Sequence, residues 1–480
     1  MSSKAGTDSA QQGLRRNSVG VAGMVLLVIA VTAPLTAVAS NLSVSLAIGN
    51  GLGTVWMIVL TAVIFAFFSA GYVAISRQTV NSGAYYAYIG YGLGRRPGAA
   101  AAMMAIVGYN LAVATFVVLT GFYGSAGLED HLGISVPWWV IALGATLAVW
   151  VIGLLGVSIA TRIAAWVAVT EFVLLGALAV AVIYRRPAGF RIDILAPQHL
   201  LSGNPALAFV LVVTCFAGYE AAAIYGEEAR GGPNSIGKAT YAALGLLAVT
   251  FAAMTWVLIA AVVDVISTAQ DDPGALLTTV AQEYLGDWAS AVLVFMIVFS
   301  YFAAAMSFHA MASRYMFSAG REGYLPRALA RVGPKRRTPY VAGTTQAVLA
   351  LAIVVPFVVA DADPLVEFLP ASAGHNALVV LLLLTACSIS VIVASVRGTL
   401  RASMWAARIA PAIAALAFLV AICLVVTNYS TITGSSSAFI NFMPLAIVIA
   451  IGYGWHRGGH GRGQSFDDGP AQHMADHISS

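Results

Sequence analysis

The sequence predicts an all-α integral membrane protein with twelve transmembrane helices, and three observations lead to this prediction. Of the 480 residues, 60% are hydrophobic and only 9% are charged, whereas a typical soluble domain has roughly 25% charged residues. Twelve apolar stretches provide about the 20 residues that a helix needs to cross a bilayer. The basic residues, finally, collect on one side of the resulting topology.

The predicted spans are joined by polar connections. They cover roughly residues 20–47, 54–76, 99–125, 136–156, 160–183, 206–226, 239–264, 287–317, 340–360, 367–395, 408–427 and 438–455. With the N-terminus inside, all but three of the 24 basic residues (Arg185, Arg186 and Arg191) lie in cytoplasmic segments. A missed span would spoil this positive-inside distribution. We therefore expect a multi-pass protein of the plasma (inner) membrane with both termini in the cytoplasm.

The two ends of the chain, residues 1–18 and 456–480, are polar and are predicted to be disordered cytoplasmic segments, because their Gly, Ser and Asp content supports no core. The C-terminal end contains His456, His460, His473 and His477. A flexible polar tail explains these histidines better than a metal site does, so we expect no metal. The net charge of +4 gives no indication of nucleic-acid binding.

Two predicted spans carry residues that interrupt helices. The first contains Pro34, which removes a backbone donor and kinks or breaks a helix. The sixth contains residues 216–220 (FAGYE), with Gly218 and an ionisable Glu220 at the depth of the bilayer centre. Taken alone, Pro34 could be an ordinary membrane-helix kink and Gly218 a packing glycine. Because the two interrupted spans lie five apart, they indicate a secondary transporter built from inverted repeats.

This reading divides the chain into a transporter domain over residues 19–455. Residues 19–204 would form the first repeat, residues 205–396 the second, and residues 397–455 two accessory helices. A broken first span would leave unpaired N–H groups beside a positive helix end, which suits an anion such as a substrate carboxylate. An unwound sixth span would expose carbonyls that accept from an ammonium group.

The candidate substrate-binding residues lie at these two interruptions. They are Ala33, Leu35 and Thr36 in the first span, and Cys215, Phe216, Ala217, Gly218 and Tyr219 in the sixth. At most of these positions we expect a backbone N–H or carbonyl group, and not the side chain, to contact the substrate. The side chains of Phe216 and Tyr219 either shape a pocket, act as a gate, or are lipid-facing or core aromatics.

Polar residues within the spans are candidates for ion coupling or for support of the helix break. Glu220 either accepts hydrogen bonds that hold the broken helix or binds a cation or proton. Glu171 either relays protons or is a neutral acid bonded to Asn110 or a hydroxyl. His309 is either packed or titratable, and Ser307, with Ser300 on the same helix face, could ligate sodium. The coupling ion is thus H⁺ or Na⁺, with H⁺ favoured.

Three segments carry a family resemblance. They are residues 71–77 (GYVAISR) with 81–88 (NSGAYYAY), residues 216–220 with 226–230 (GEEAR), and residues 312–314 (ASR) with 319–326 (AGREGYLP). In order and spacing they resemble the amino acid–polyamine–organocation superfamily, over about residues 18–455. The resemblance implies a LeuT-like fold of five plus five helices and a permease that imports amino acids by alternating access. Polyamines, other organic cations and amino acid antiport remain alternatives.

The resemblance also has limits. Some proton-coupled members carry a lysine in the fifth span, but the lysines here are Lys4, Lys238 and Lys335, all in aqueous segments. Charge pairs are expected to form a cytoplasmic gate, unless these are solvated loop charges. The gate residues are Glu227, Glu228, Arg230 and Arg314. We expect no enzyme and no cofactor, with a small-molecule substrate and the lipid bilayer as partners and the oligomeric state open.

Overall fold

The computed structural model describes residues 17–361, 363–433, 440 and 442–460. The first half consists of α1 (Val21–Thr32), α2 (Pro34–Ala37), α3 (Ser43–Ile48), α4 (Thr54–Ser76), α5 (Ala84–Leu93), α6 (Arg95–Leu132), α7 (Trp138–Leu155), α8 (Val157–Arg185) and α9 (Pro205–Cys215). The second half consists of α10 (Ala221–Ile224), α11 (Pro233–Ala261), α12 (Val265–Asp271), α13 (Leu276–Leu285), α14 (Asp287–Arg321), α15 (Tyr340–Val359), α16 (Leu369–Val396), α17 (Ala410–Thr427), α18 (Tyr429–Thr433) and α19 (Leu445–His460).

Within the described residues, ten helical segments are long and apolar enough to cross a membrane. They correspond to ten of the predicted spans, and one of them, Val21–Ile48, joins α1, α2 and α3 through the π-helical turn Val38–Leu42. The predicted sixth span is divided between α9, with 11 residues, and α10, with 4. The last predicted span corresponds to α19, which has 16 residues. The all-helical membrane architecture is therefore as predicted.

The C-terminal boundary differs from the prediction, because α19 extends to His460 whereas disorder was predicted from residue 456. Glycines explain the extra turn. A Cβ on Gly454 would lie 2.4 Å from the Ala99 carbonyl, and one on Gly458 would lie 2.8 Å from Arg96 Cα. These glycines therefore let α19 pack closely on α6. The rest of the predicted tail, and residues 1–16 of the predicted N-terminal segment, lie outside the described residues.

Four α-helices in the connections were not predicted, because each is too short to be read as a span. They are α5, α12, α13 and α18. Of these, α5 matters most for the interior, because it packs against α6 and α16 and buries Tyr85, Tyr86 and Tyr88. The connection after α4 is thus part of the core instead of a solvated loop.

The helices divide into a central group and a peripheral group. In the most apolar stretch of α6, 83% of residues are buried, and in that of Val21–Ile48, 72% are buried. The corresponding shares are 22% for α7 and 28% for α8, so those helices face the lipid over much of their surface. Helix α14 packs along α6, and α1 contacts α8, α11 and α14. The two interruptions therefore lie in the middle of the bundle.

Candidate substrate site at two helix interruptions

The first interruption is confined to one residue. Helix α1 ends at Thr32, Ala33 adopts a left-handed conformation with φ 44° and ψ 70°, and α2 begins at Pro34. The Ala33 N–H donates to the Ile29 carbonyl at 2.9 Å. The prediction that this N–H is free for a substrate is therefore wrong: it completes the last turn of α1. The Thr36 hydroxyl donates back to the Ala33 carbonyl at 2.9 Å.

A carboxylate of the chain itself meets the first interruption. The Leu35 N–H donates to Glu171 Oε2 at 3.4 Å, and the Glu171 side chain, which extends from α8, is buried. Ser300 of α14 lies beside the same carboxylate. Asn110 instead donates to the Ile106 carbonyl at 2.7 Å, so the suggested Asn110–Glu171 hydrogen bond is not formed. Glu171 thus lies at the N–H group that the sequence assigned to a substrate carboxylate.

The second interruption is longer. Helix α9 ends at Cys215, the chain turns through residues 216–220 with Gly218 at φ 93°, and α10 begins at Ala221. The Tyr219 N–H donates to the Phe216 carbonyl at 3.3 Å, which occupies one of the two lone pairs of that oxygen. Among the described residues, no backbone or side-chain donor bonds to the carbonyls of Cys215 and Ala217. These two carbonyls are therefore the most available acceptors for an ammonium group.

The two interruptions are in contact with each other. A Cβ on Gly218 would lie 1.9 Å from Cγ1 of Val31, which precedes Ala33 by two residues. Asn41 Nδ2 also donates to the Thr214 hydroxyl at 2.9 Å, which ties the segment after α2 to the last turn of α9. Only glycine, which has no side chain, allows the backbone at position 218 to come this close to Val31. The fold thus brings together two polar backbone segments from opposite halves of the chain.

The aromatic residues of the second interruption are fully buried, so a lipid-facing role is wrong for both. The ring of Phe65 stacks on Phe216 at 5.4 Å and meets Tyr219 edge-on at 5.1 Å between centroids. Phe251 meets Phe216 from the other side at 5.3 Å. Such edge and stacked contacts are favourable aromatic geometries. They agree with the core alternative, and they leave open whether Phe216 and Tyr219 also shape a pocket or form a gate.

Glu220 is held by two tyrosines that the sequence analysis did not select. The Tyr109 hydroxyl donates to Glu220 Oε1 at 2.6 Å, and the Tyr72 hydroxyl donates to the Glu220 carbonyl at 3.1 Å. A hydrogen bond to an ionised acceptor is short and strong. Glu220 Oε2 has no hydrogen-bond partner among the described residues. The side chain therefore both supports the turn and keeps one oxygen able to accept another bond.

Further tyrosines surround this carboxylate. Buried hydroxyls without a hydrogen-bond partner among the described residues belong to Tyr85, Tyr88, Tyr219 and Tyr315. The Tyr315 ring lies 5.0 Å from that of Tyr109, and the Tyr72 ring lies 5.4 Å from Tyr88 and 5.6 Å from Tyr85. Buried polar groups nearly always have partners in proteins. This tyrosine cluster is therefore well suited to bind a polar ligand. The motifs at residues 71–77 and 81–88, which contain Tyr72, Tyr85 and Tyr88, were the sequence signals for it, together with Tyr219.

Two ion pairs lie beyond the second interruption, on the side of the membrane where the basic residues collect. The guanidinium of Arg314 donates from Nε to Glu228 Oε1 at 2.7 Å and lies 4.3 Å from the centroid of the Tyr225 ring. Both charged side chains are almost fully buried, at 6% and 3% exposed. A buried pair of this kind holds its elements together, because separating the partners leaves an uncompensated buried charge.

The second ion pair is nearer the surface and replaces a predicted contact. Arg321 pairs with Glu227 at 2.8 Å, and the Ser82 N–H donates to the same carboxylate at 2.8 Å. The side chain of Arg230 forms no ion pair among the described residues. Its backbone N–H instead donates to the Val19 carbonyl at 2.7 Å. Arg230 therefore joins this cluster of contacts through its backbone, not through its charge.

A third acidic residue lies in the same cluster of contacts. Glu322 accepts from Asn81 Nδ2 at 3.0 Å and from the Tyr86 hydroxyl at 3.3 Å. Burial raises the pKa of the Glu322 carboxyl from its ordinary value of 4.5 to about 7. Because a raised pKa means that the ionised form is disfavoured in this arrangement, the contribution of this contact to stability is full below about pH 4.5 and is lost as the pH rises from there to about 7.

The chain matches one protein family over most of its length. A model described as amino acid permease matches residues 18–451. The chain belongs to the amino acid permease family. Similar solved structures include MhsT in complex with L-phenylalanine, at 15% identity and a TM-score of 0.58, covering 85% of this chain and 100% of that one. Another is a variant of the Eremococcus coleocola manganese transporter, at 13% identity and a TM-score of 0.53, covering 92% of each chain. A search of curated protein sequences found no match.

Three candidate coupling residues of this permease, Ser300, Ser307 and His309, lie on α14. His309 Nδ1 pairs with the Gln346 amide oxygen of α15, and a Cβ on Gly153 of α7 would lie 2.5 Å from His309 Nε2. The ring therefore packs between α7 and α15, as the packed alternative predicted. The hydroxyls of Ser300 and Ser307 are buried and have no hydrogen-bond partner among the described residues, so they stay candidates for sodium coupling.

Proposed function

We propose that the chain is a secondary active transporter that imports amino acids across the plasma membrane by alternating access, driven by protons. The observation that carries this proposal is the contact between the two interruptions at Val31 and Gly218. It creates a polar backbone site inside an otherwise apolar bundle. Non-helical backbone at membrane depth is tolerated where it is buried in protein or lines a cavity, as at substrate sites.

The same observation supports the finer architecture. Counting Val21–Ile48 and the divided α9–α10 segment as broken spans one and six, and α19 as the last, gives twelve spans. Residues 19–204 and 205–396 are then inverted repeats, with α17 and α19 as accessory helices. Both termini lie in the cytoplasm, on the side with the ion pairs.

An amino acid fits the site through its backbone groups. Its carboxylate binds the Leu35 N–H at the start of α2, and its ammonium group binds the carbonyls of Cys215 and Ala217. Phe216 and Tyr219 contact its side chain. The proposal is supported by the pairing of donors on one interruption with acceptors on the other, at positions joined by the Val31–Gly218 contact. The likeness to a structure that holds L-phenylalanine is in agreement with it.

Glu171 provides the link to protons. Its carboxylate accepts the Leu35 N–H, which the substrate carboxylate also requires. Two carboxylates at one donor repel each other when both are ionised. Substrate therefore binds when the Glu171 carboxyl takes up a proton from the outside, and release inside lets Glu171 ionise and return to Leu35. Sodium coupling through Ser300 and Ser307 is the alternative.

The ion pairs keep the cytoplasmic side closed in this conformation. Opening towards the cytoplasm separates Glu228 from Arg314 and Glu227 from Arg321, and it releases the hydrogen bond from the Arg230 N–H to the Val19 carbonyl. The Glu228–Arg314 pair dominates, since breaking a buried pair costs about 3–5 kcal/mol and an exposed one about 0–1 kcal/mol.

A polyamine or another organic cation is the second candidate, and one observation favours it. A buried carboxylate lies at each interruption, Glu171 from α8 at the first and Glu220 within the second, and neither is paired with a basic side chain among the described residues. A site with two acids suits a ligand with more than one ammonium group. An amino acid antiporter would use the same site without net proton movement.

The test is uptake of radiolabelled amino acids and polyamines into liposomes that contain the purified protein. We expect accumulation of at least one amino acid when the outside is acidic, and loss of accumulation when a protonophore collapses the gradient. Accumulation that survives the protonophore but requires external sodium would overturn proton coupling. Uptake of polyamines without any amino acid would favour the second candidate.

A further inference from the structure

A basic pocket lies between α4 and α11, where the two helices reach the membrane boundary on the side of the ion pairs. Its volume is about 460 Å³, and its lining residues are Val73, Arg77, Asn234, Gly237, Lys238 and Tyr241. Arg77 directly follows the last residue of α4, and Lys238 lies in the second turn of α11. The pocket therefore lies at the level where the hydrocarbon gives way to headgroups and water.

The charges of this pocket are not compensated by the protein. Neither Arg77 nor Lys238 forms an ion pair or a side-chain hydrogen bond with any residue in the described part of the chain, and no acid lines the pocket. The first turn of the 29-residue helix α11 adds the positive end of a helix dipole. All three features attract an anion, and a phosphate group suits paired Arg and Lys side chains.

The pocket continues into an apolar surface along α11. Lys238, Tyr241, Gly245 and Val249 follow at helical spacing and so share one face. Tyr241 is 45% exposed and Val249 68%, and a Cβ on Gly245 would meet nothing within 4 Å. At the floor, a Cβ on Gly237 would lie 2.7 Å from Val73 Cγ1, so the two helices touch there. A charged mouth with an adjoining apolar surface fits an amphipathic ligand.

We propose that this pocket binds an anionic phospholipid. The phosphate of the headgroup lies between Arg77 and Lys238, Asn234 and Tyr241 provide hydrogen bonds at its edge, and one acyl chain follows the α11 face past Gly245 to Val249. The apolar surface of α11 favours a lipid over a soluble anion, because a soluble anion has no apolar part to bury against it. Basic pockets between membrane helices are recognised by anionic headgroups in this way. The proposal is independent of the transported substrate.

The test is native mass spectrometry of the full chain, released from detergent after equilibration with equal amounts of phosphatidylglycerol and phosphatidylcholine. We expect the unmodified protein to retain phosphatidylglycerol preferentially. The R77Q/K238Q variant is expected to bind it about 30-fold more weakly, which corresponds to about 1 kcal/mol for each basic residue near an anionic lipid. The matched control is R331Q/K335Q, which removes two exposed charges from the loop between α14 and α15 and is expected to change nothing.

Three results would overturn the proposal. The first is equal retention of phosphatidylglycerol by R77Q/K238Q and by the control. The second is the absence of any preference over phosphatidylcholine in the unmodified protein, which decides the question even if the double variant does not fold. The third is displacement of the bound lipid by millimolar inorganic phosphate, which would mark the pocket as a site for a soluble anion.

Discussion

The two interruptions both break a membrane helix, but they present different backbone groups. At the first, a single residue, Ala33, departs from helical geometry, its N–H completes the last turn of α1, and the Leu35 N–H donates outside the segment to Glu171. At the second, five residues turn, Gly218 carries the left-handed conformation, and two carbonyls accept no described bond. One interruption therefore presents a donor and the other presents acceptors.

The two interruptions also differ in where their acidic residue comes from and in which group it binds. Glu171 comes from another helix and bonds to the backbone donor of the first interruption. Glu220 belongs to the second interruption itself and accepts from the Tyr109 hydroxyl. We infer that Glu171 moves during transport, because its bond is long and competes with substrate, and that Glu220 keeps the turn in shape. The following changes test this division, from the largest expected effect to the smallest.

Replacing Gly218 with alanine should have the largest effect. The new Cβ would lie 1.9 Å from Val31 Cγ1, and such overpacking costs about 1–3 kcal/mol, with about 1–2 kcal/mol more for the left-handed backbone. We expect uptake to be lost and the Tm of the purified protein to fall. Gly176→Ala is the matched control, because a Cβ there meets nothing within 4 Å. Equal behaviour of both variants would show that the close approach at Gly218 is unimportant.

Glu220→Gln should strongly reduce uptake while the protein still folds. The substitution removes the charge that strengthens the 2.6 Å bond from Tyr109, and hydrogen bonds to charged groups contribute about 1.5–3 kcal/mol. Uptake should therefore fall about tenfold or more. Tyr109→Phe should produce a similar loss, and the double variant should be no worse than either single one. Wild-type uptake in Glu220→Gln would exclude this residue from the site.

Glu171→Gln should separate coupling from binding. The glutamine carbonyl can still accept from the Leu35 N–H, but the side chain no longer titrates. We expect exchange of labelled for unlabelled substrate to continue and accumulation driven by a proton gradient to disappear. Both are measured on the same liposomes, so a folding defect, which would abolish both, is distinguishable. Gradient-driven accumulation at the wild-type level would contradict the role given to Glu171.

Ala33→Gly should have the smallest effect. A non-glycine residue with φ 44° is strained by about 1–2 kcal/mol, and glycine relieves this strain at a small entropic cost in the unfolded state. The Tm should stay the same or rise slightly, with uptake preserved. A fall in Tm comparable to that of Gly218→Ala would mean that the two interruptions do not differ as described.

The sequence was sufficient for the features that depend on local composition. Apolar length determined the spans, and Pro34 and Gly218 marked the interruptions, because each residue changes what a helix can do at its own position. It was insufficient for features that depend on contacts between distant segments. Glu171 and Leu35 are 136 residues apart in the chain, and no periodicity within either helix indicates that they meet.

The same reason explains the remaining differences. The left-handed conformation of Ala33 is unfavourable for alanine, so its sequence gives no sign that the N–H completes α1. The direction of His309 depends on the space left by Gly153 in α7. The tyrosines around Glu220 come from α4, α5, α6 and α14, and they are neighbours only because these four helices pack together.

The most direct test of the central claim is the change in Tm of the purified protein with amino acids, their methyl esters and polyamines. A ligand that binds only the folded state raises the apparent stability. If the Leu35 N–H binds a substrate carboxylate and the carbonyls of Cys215 and Ala217 bind its ammonium group, at least one amino acid should raise the Tm and its methyl ester should not. A rise with a polyamine, and none with any amino acid, would contradict the account.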